Sequence, residues 1–445
     1  MRSTMREMGR RILAAGMLSG LAAGLVGCGE LLDQQAPSRL LESTLQGADA
    51  AKGLVDGARA AFGCAFQAYI MGYGLITDEL EDTQLAAAAW DWDRRSWLPI
   101  GGNYATSACD GGQQFGIYVP MQTARYTADQ AAVNLAKFTD AEVPNRGTLL
   151  ATASAYSGYA HLLLGEGFCT MAIDGGPELQ PAAVFALAEG KFTDAITSAT
   201  AANNTQLLNL ARIGRARTRL DLAKLPGQAI NNAKLTDARA DAAAVPAGFL
   251  YNIPYNSAST FSRNNIFERN RGAFGLLYGV APTDRGLTFG GVADPRVKTT
   301  QGGRGADAVS FTWTIDKYAS NAAPIPLARY AEAQLIIAEA DYTLVNPDAA
   351  VPVINALHTA AGLPSFASTD PAEILNQLIQ ERAREFFLES QHGYDMNRFN
   401  TPQVPAPGTA FQAPGNNKGG QYGSIRCLPL PDVERNNNPN VSVAR

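Results

Sequence analysis

The chain has 445 residues, with 36 lysines and arginines against 41 aspartates and glutamates, for a net charge of −5. No tract of it supplies the basic surface on which nucleic-acid binding depends, so that class is excluded. A chain of this length exceeds one small core and points to a repeat array or to two packed lobes.

The N-terminus reads as an export signal. Arg2, Arg6, Arg10 and Arg11 precede an uncharged run, Ile12 to Gly27, that ends in the stretch LVGCGE. That run is shorter than the roughly 20 residues a membrane-spanning helix needs. Leu25, Val26 and Gly27 before Cys28 resemble the lipobox of bacterial lipoproteins. The resemblance implies a signal peptide over residues 1–27 and lipidation of Cys28, with palmitate or a similar acyl chain, as the new N-terminus. Each buried acyl methylene adds about 0.8 kcal/mol of membrane affinity, so several chains on one residue make a durable anchor. Gly29 stands where an Asp commonly retains lipoproteins at the inner membrane. The expected location is therefore the outer membrane, lipid-anchored and facing the cell surface.

The remaining cysteines, Cys64, Cys109, Cys169 and Cys427, are even in number in an exported chain, where disulfides persist. Four cysteines allow three pairings. Cys64 and Cys109 flank one segment, which favours that pair, with Cys169 and Cys427 as the second; unpaired buried thiols are the alternative.

From about residue 48 to 244, and again from 328 to 400, the apolar residues recur at helical period. Leu149, Ala153, Tyr156, Ala160, Leu163 and Leu164 form one stripe; after the loop DGGPELQP, Phe185, Ala188, Phe192, Ala195, Ile196 and Ala199 form another. Facing stripes predict a helical hairpin. A second pair is LLNLARIGRARTRLDL with GQAINNAKLTDARADAAA, and a third is LARYAEAQLIIAEADYTLV with AAVPVINALHTAAGL. Small residues at Gly158, Ala160, Gly214, Ala216, Ala338 and Ala340 mark where helices would touch. The expected fold is mostly α: tetratricopeptide-like helical-hairpin repeats with long irregular loop insertions and a few short strands.

Between residues 245 and 326 the texture turns to Gly, Asn, Pro and aromatics, which predicts long structured loops with short strands facing a ligand. A second irregular region runs from WDWDRRSW through CDGGQQ, and residues 401–445 form an irregular tail. All four tryptophans, Trp90, Trp92, Trp97 and Trp313, fall in the irregular regions, where rigid rings can stack on a sugar or close over a peptide. With Tyr73, Asn103 and Tyr104, and with Arg94 and Arg95 as further polar options, they are the candidate ligand contacts.

Catalytic chemistry finds little support. The histidines are His161, His358 and His392, and HExxH, GxSxG and CxxC patterns are absent. GGRGAD lacks the lysine of a phosphate loop. The run DELED, Asp78 to Asp82, and the pair Asp91 and Asp93 are expected as solvated carboxylates at a helix end and in a loop. His392 is expected as a packed or capping imidazole. The reading is a non-enzyme with no metal and no cofactor.

At LIQERAREFFLESQHGYDMNRFN the sequence resembles the SusD/RagB family of outer-membrane nutrient-binding lipoproteins. The family's late-helix pattern is matched by Glu381, Arg382, Glu385, Glu389, Asp395, Met396, Arg398 and Phe399. Its ending is matched by Pro429, Leu430, Pro431, Glu434, Asn438 and Pro439. LLDQQAPSRL and GARAAF fit its start, so the resemblance spans a single SusD-like domain over 28–445. Ser390 and His392 replace the usual Gly and Arg, and Phe399 the usual Trp, which marks a divergent branch. Membership implies capture of an oligosaccharide or peptide for a TonB-dependent outer-membrane receptor (SusC-like). The Glu and Arg of the late helix read as structural ion pairs. A helical-repeat scaffold lipoprotein for envelope assembly is the other class, and it would lack the aromatic loop insertions.

Overall fold

The computed structural model describes residues 46–441 apart from 86–89, 97–101, 111–114, 274 and 413–417. Residues up to Ala50 form a separate unit, of which a 3-10 turn over Ala48–Ala50 is described; the larger unit begins at Ala51. Its helices are α1 (Ala51–Ile76), the short α2 (Asp91–Arg94) and α3 (Asn103–Thr106), α4 (Tyr118–Leu135), α5 (Arg146–Gly167), α6 (Pro181–Ala201), α7 (Thr205–Ala223), α8 (Asn232–Ala243), α9 (Asn265–Asn270), α10 (Tyr330–Leu344), α11 (Val351–Ala361), α12 (Pro371–Glu385), α13 (His392–Arg398) and α14 (Asp432–Asn437). The strands are short: β1 (Leu80–Asp82), β2 (Met171–Ala172), β3 (Glu178–Leu179), β4 (Leu250–Ile253), β5 (Tyr278–Val280), β6 (Thr288–Phe289), β7 (Val292–Ala293), β8 (Thr299–Arg304), β9 (Phe311–Ile315) and β10 (Ile325–Arg329). They pair two by two, all antiparallel, as β1–β5, β2–β3, β4–β10, β6–β7 and β8–β9. This is the mostly helical repeat architecture expected. Among the described residues, no helix is long and apolar enough to cross a membrane.

The long helices stack in sequence order, α4 on α5, α5 on α6, α6 on α7, α7 on α8, and α8 on α10. Local chemistry sets their ends. Asn204 and Asn231 cap α7 and α8 by accepting from the Leu207 and Lys234 amides at 3.0 and 3.1 Å, and Pro181 opens α6. Phe192 of α6 fills the space between α5 and α7. A Cβ on Gly158 would stand 2.8 Å from its ring and one on Gly214 2.2 Å, so both glycines permit the helices to close on it. The α6 stripe faces inward as expected. On α5 the expected one-sided stripe is instead burial all round from Ala151 to Gly167, because α1, α4, α6 and α7 surround it. A second, smaller core joins α10, α11 and α12 through Leu335, Ile354, Leu357, Ile374, Leu378 and Phe386.

The Glu and Arg of the late helices form a buried ion network. Glu339 meets Arg398 at 2.6 Å, Lys224 at 3.0 Å and Arg382 at 3.6 Å. Asp395 holds Arg382 at 2.8 Å and Arg398 at 2.6 Å. Glu385 bridges Arg296 and Arg329, and Glu389 takes Arg329 at 2.9 Å and Lys317 at 2.6 Å. The carboxylates of Glu339, Asp395 and Glu385 are held below the ordinary range: burial opposes ionisation, but the surrounding guanidiniums outweigh it. Disulfides join Cys64 to Cys109 and Cys169 to Cys427, with Cα separations of 5.6 and 5.1 Å.

Candidate functional site

The site begins where α1 stops. The apolar stretch FGCAFQAYIMGYGLI is buried throughout, so the residues that follow it emerge inside the protein. Asp78 takes the left-handed conformation (φ 69°), and the Glu79 amide returns to the Gly74 carbonyl at 3.0 Å. This Schellman closure reverses the chain and lays Leu80, Glu81 and Asp82 as β1 against β5. The expected solvated carboxylates are therefore a correction. Glu79 is 4% exposed, Asp82 0% and Asp93 6%.

These buried acids are held by partners remote in sequence. Asp78 faces Arg95 at 3.5 Å and accepts the Val404 amide at 2.8 Å. Glu81 pairs with Arg285. Asp82 lies 3.8 Å from Lys418, whose ammonium also reaches Asp307 at 3.1 Å. Asp93 accepts from the Asp82 amide and from the Gln412 side chain, each at 2.8 Å. Burial pushes all of them up: Asp78 and Glu81 to about 7, Asp82 to about 8 and Asp93 to about 6. Glu79, which accepts the Leu388 amide at 2.7 Å, is pushed up by burial to about 8.

Asp78, Glu81 and Asp93 line a cavity of about 780 Å³. Its other walls are Ala281, Pro282 and Arg285 after β5, Phe311 and Trp313 of β9, and Val404, Pro405, Gln412 and Tyr422 of the tail. Phe311 and Val404 are 46% and 48% exposed, so apolar surface faces the opening. The Arg285 guanidinium stacks over Trp313 at 5.1 Å while pairing with Glu81. The cavity thus offers aromatic and apolar faces beside carboxylates that accept hydrogen bonds, a lining suited to a ligand with both rings and donors. Among the described residues, no group of three His, Cys, Asp or Glu is placed to hold a metal.

Of the described residues expected as ligand contacts, the cavity takes Trp313. Trp92 is a correction: at 1% exposed it stacks on Phe115 at 5.1 Å in the core. Tyr73 and Tyr104 are corrections of the same kind. Tyr73 is 2% exposed and stacks on Tyr69 at 4.5 Å; Tyr104 is fully buried, and its hydroxyl donates to the Pro429 carbonyl at 3.2 Å. Large rings so close to the buried α1 and α4 contribute more by burial than by waiting at a surface. Trp90 is half-buried, donates to the Gln84 carbonyl at 2.9 Å and has Arg94 and Lys418 each 5.7 Å from its ring. Arg95 is buried, bonded to the Pro405 carbonyl and stacked on Tyr422 at 4.8 Å, so it braces the tail. Cys28 and Trp97 lie outside the described residues, and of Asn103 only the backbone, at the start of α3, is described. Sequence reading missed Phe311, Arg285, Tyr422 and the buried acids. The signal for the acids was the uncharged second half of α1 before them, Phe62 to Ile76, which leads the chain inward.

Residues 294–442 match the SusD family model. The fold resembles a SusD-like carbohydrate binding protein from Bacteroides vulgatus at 14% identity, covering 89% of this chain and 97% of that one, with a TM-score of 0.65. It also resembles SusD superfamily proteins from Parabacteroides distasonis and Bacteroides fragilis, each at 12% identity over 91% of this chain and 99% of the other, with TM-scores of 0.63 and 0.64. No curated protein matches the chain. The matched third holds β8, β9, the ion network apart from Lys224, and most of the tail, and thus much of the cavity wall. The sequence match thus covers the last third of the chain, and the fold over most of the chain resembles that of SusD-like proteins.

Proposed function

We propose that this chain is a nutrient-binding lipoprotein of the outer-membrane surface, anchored through acylated Cys28. It captures an oligosaccharide, with peptide as the other cargo class, and delivers it to a TonB-dependent transporter. The observation that carries this reading is the 780 Å³ cavity, whose wall joins the acidic segment, the Trp313 hairpin and the tail. The SusD family match and the carbohydrate-binding neighbour support a glycan over other cargo. A protein that hands its cargo on needs only modest affinity; a micromolar Kd corresponds to about 8 kcal/mol, within reach of a few stacked faces and hydrogen bonds. The cavity acids are read as ligand acceptors rather than as an acid and base pair.

Binding of the purified protein to arrays of oligosaccharides and to peptide pools tests the reading. Retention of one glycan class, with the glycan recovered intact, is expected. Cleavage products would make it an enzyme, and silence across every glycan and peptide would remove the cavity from consideration. Labelled palmitate entering the protein, and failing to enter Cys28→Ala, tests the anchor.

A further inference from the structure

We infer that the cavity selects an oligosaccharide bearing free amino groups, whose ammonium docks on Asp93. This rests on the glycan-binding reading and names the class of glycan.

The cavity wall carries three carboxylates, Asp78, Glu81 and Asp93, against one guanidinium, Arg285. Asp78 and Glu81 each have a cation at ion-pair distance, Arg95 and Arg285 respectively. Asp93 has none among the described residues, although it is only 6% exposed. The hydrogen bonds it receives from the Asp82 amide and from the Gln412 side chain both arrive at Oδ2. Oδ1 takes no donor from the described residues while the residue lines the cavity. A buried carboxylate with a vacant oxygen and no counter-charge is costly, and a ligand donor at that oxygen relieves the cost.

A hydroxyl would fill the oxygen, but an ammonium also answers the charge. The charged groups around Asp93 are Asp82, Asp78 and Glu81 on the acidic side, and Arg95 and Lys418 on the basic side. The two cations are already committed, Arg95 to Asp78 and the Pro405 carbonyl, Lys418 to Asp307. Among the described residues of the wall, Asp93 is therefore the carboxylate left for cargo. Burial raises Asp93 to about 6, and a docked ammonium draws it down, so binding near that pH expels a proton from the fraction still protonated. A charge-assisted hydrogen bond is about twice as strong as a neutral one, so an amine sugar outcompetes its acetylated counterpart.

Calorimetry on the full chain at about pH 6.5, where amino sugars are substantially protonated, tests this with three oligomers of equal length: β-1,4-linked glucosamine, its fully N-acetylated form, and β-1,4-linked glucose. The glucosamine oligomer is expected to bind about tenfold or more tighter than the acetylated one. That ratio falls toward one in Asp93→Asn and falls partway in Glu81→Gln, and on the unaltered protein it shrinks in about 1 M salt. If Asp93→Asn does not fold, Glu81→Gln and the salt titration still decide. Equal affinity for the amine and acetylated forms overturns the inference yet leaves glycan capture standing. A ratio unchanged in both variants overturns it, and so does binding of lysine-rich peptides with the glucosamine oligomer silent. Failure of every glycan and peptide in the array refutes glycan capture itself.

Discussion

Glu339 and Asp93 are the same kind of group in the same degree of burial, 0% and 6% exposed, and they shift in opposite directions. Glu339 sits among Arg398, Lys224 and Arg382 and is held well below the carboxylate range. Asp93 has backbone and amide donors but, among the described residues, no cation at ion-pair distance, and burial raises it to about 6. Burial sets the cost in both places; the number of cations in reach sets the sign. The late-helix network is thus an electrostatic unit that locks α10, α12 and α13, whereas among the described residues the cavity wall sets three carboxylates against one guanidinium.

The largest expected effect breaks that late-helix unit. Arg398→Met removes the cation shared by Glu339 and Asp395, with a side chain only 1% exposed, and leaves both acids underpaired. Urea unfolding at neutral pH should show a loss of about 3–5 kcal/mol; a loss under about 1 kcal/mol would show the network to be dispensable. The acidic segment should respond the other way. Glu79→Gln keeps an oxygen for the Leu388 amide and deletes a charge that burial disfavours. Because the folded-state value is raised, this glutamate's contribution is intact below about 4.5 and is lost as pH rises through about 8. The variant should therefore be more stable than the parent by about 1–3 kcal/mol near pH 8 and equal to it near pH 4, read from paired denaturation curves.

The unaltered protein sharpens the contrast in a single pH series. Glu339, Glu385 and Asp395 are depressed, so their contribution is present above the unfolded value and is lost as pH falls below about 4. Asp78, Glu79, Glu81, Asp82 and Asp93 are raised, so theirs declines as pH climbs through 6 to 8. Stability should peak at about pH 5, between the two windows; a peak near pH 8 would contradict the assignment of the wall. The smallest effect leaves stability aside: Trp313→Ala removes a stacking face and should weaken ligand binding by about 1 kcal/mol with helical content unchanged.

The two regions also differ in how far the sequence announces them. The network was readable because Glu381, Arg382, Glu385 and Glu389 recur at helical spacing, and the helix hairpins were readable because Phe185 and Phe192 repeat at the period of a turned helix. The acidic wall was not. Asp78 to Asp82 looks like any charged helix end, and what buries it is the closure at Asp78 together with Arg285, Lys418 and Val404, more than 200 residues away. Trp92 and Trp313 share an irregular context and part company only in three dimensions: one ring meets Phe115, the other a strand at the cavity edge. Pattern reveals periodic packing, but loop residues brought together by tertiary contacts carry no period to read.

The bond between Cys169 and Cys427 closes a span of 258 residues, and the tail before it supplies Val404, Pro405 and Tyr422 to the cavity and Gln412 to Asp93. A chain that emerges N-terminus first can stack α1 through α8 long before that tail arrives. The pocket is therefore complete only once the residues up to Tyr422 are in place. A protein clipped near residue 400 would keep α1 through α13 and lose the tail's share of the cavity wall.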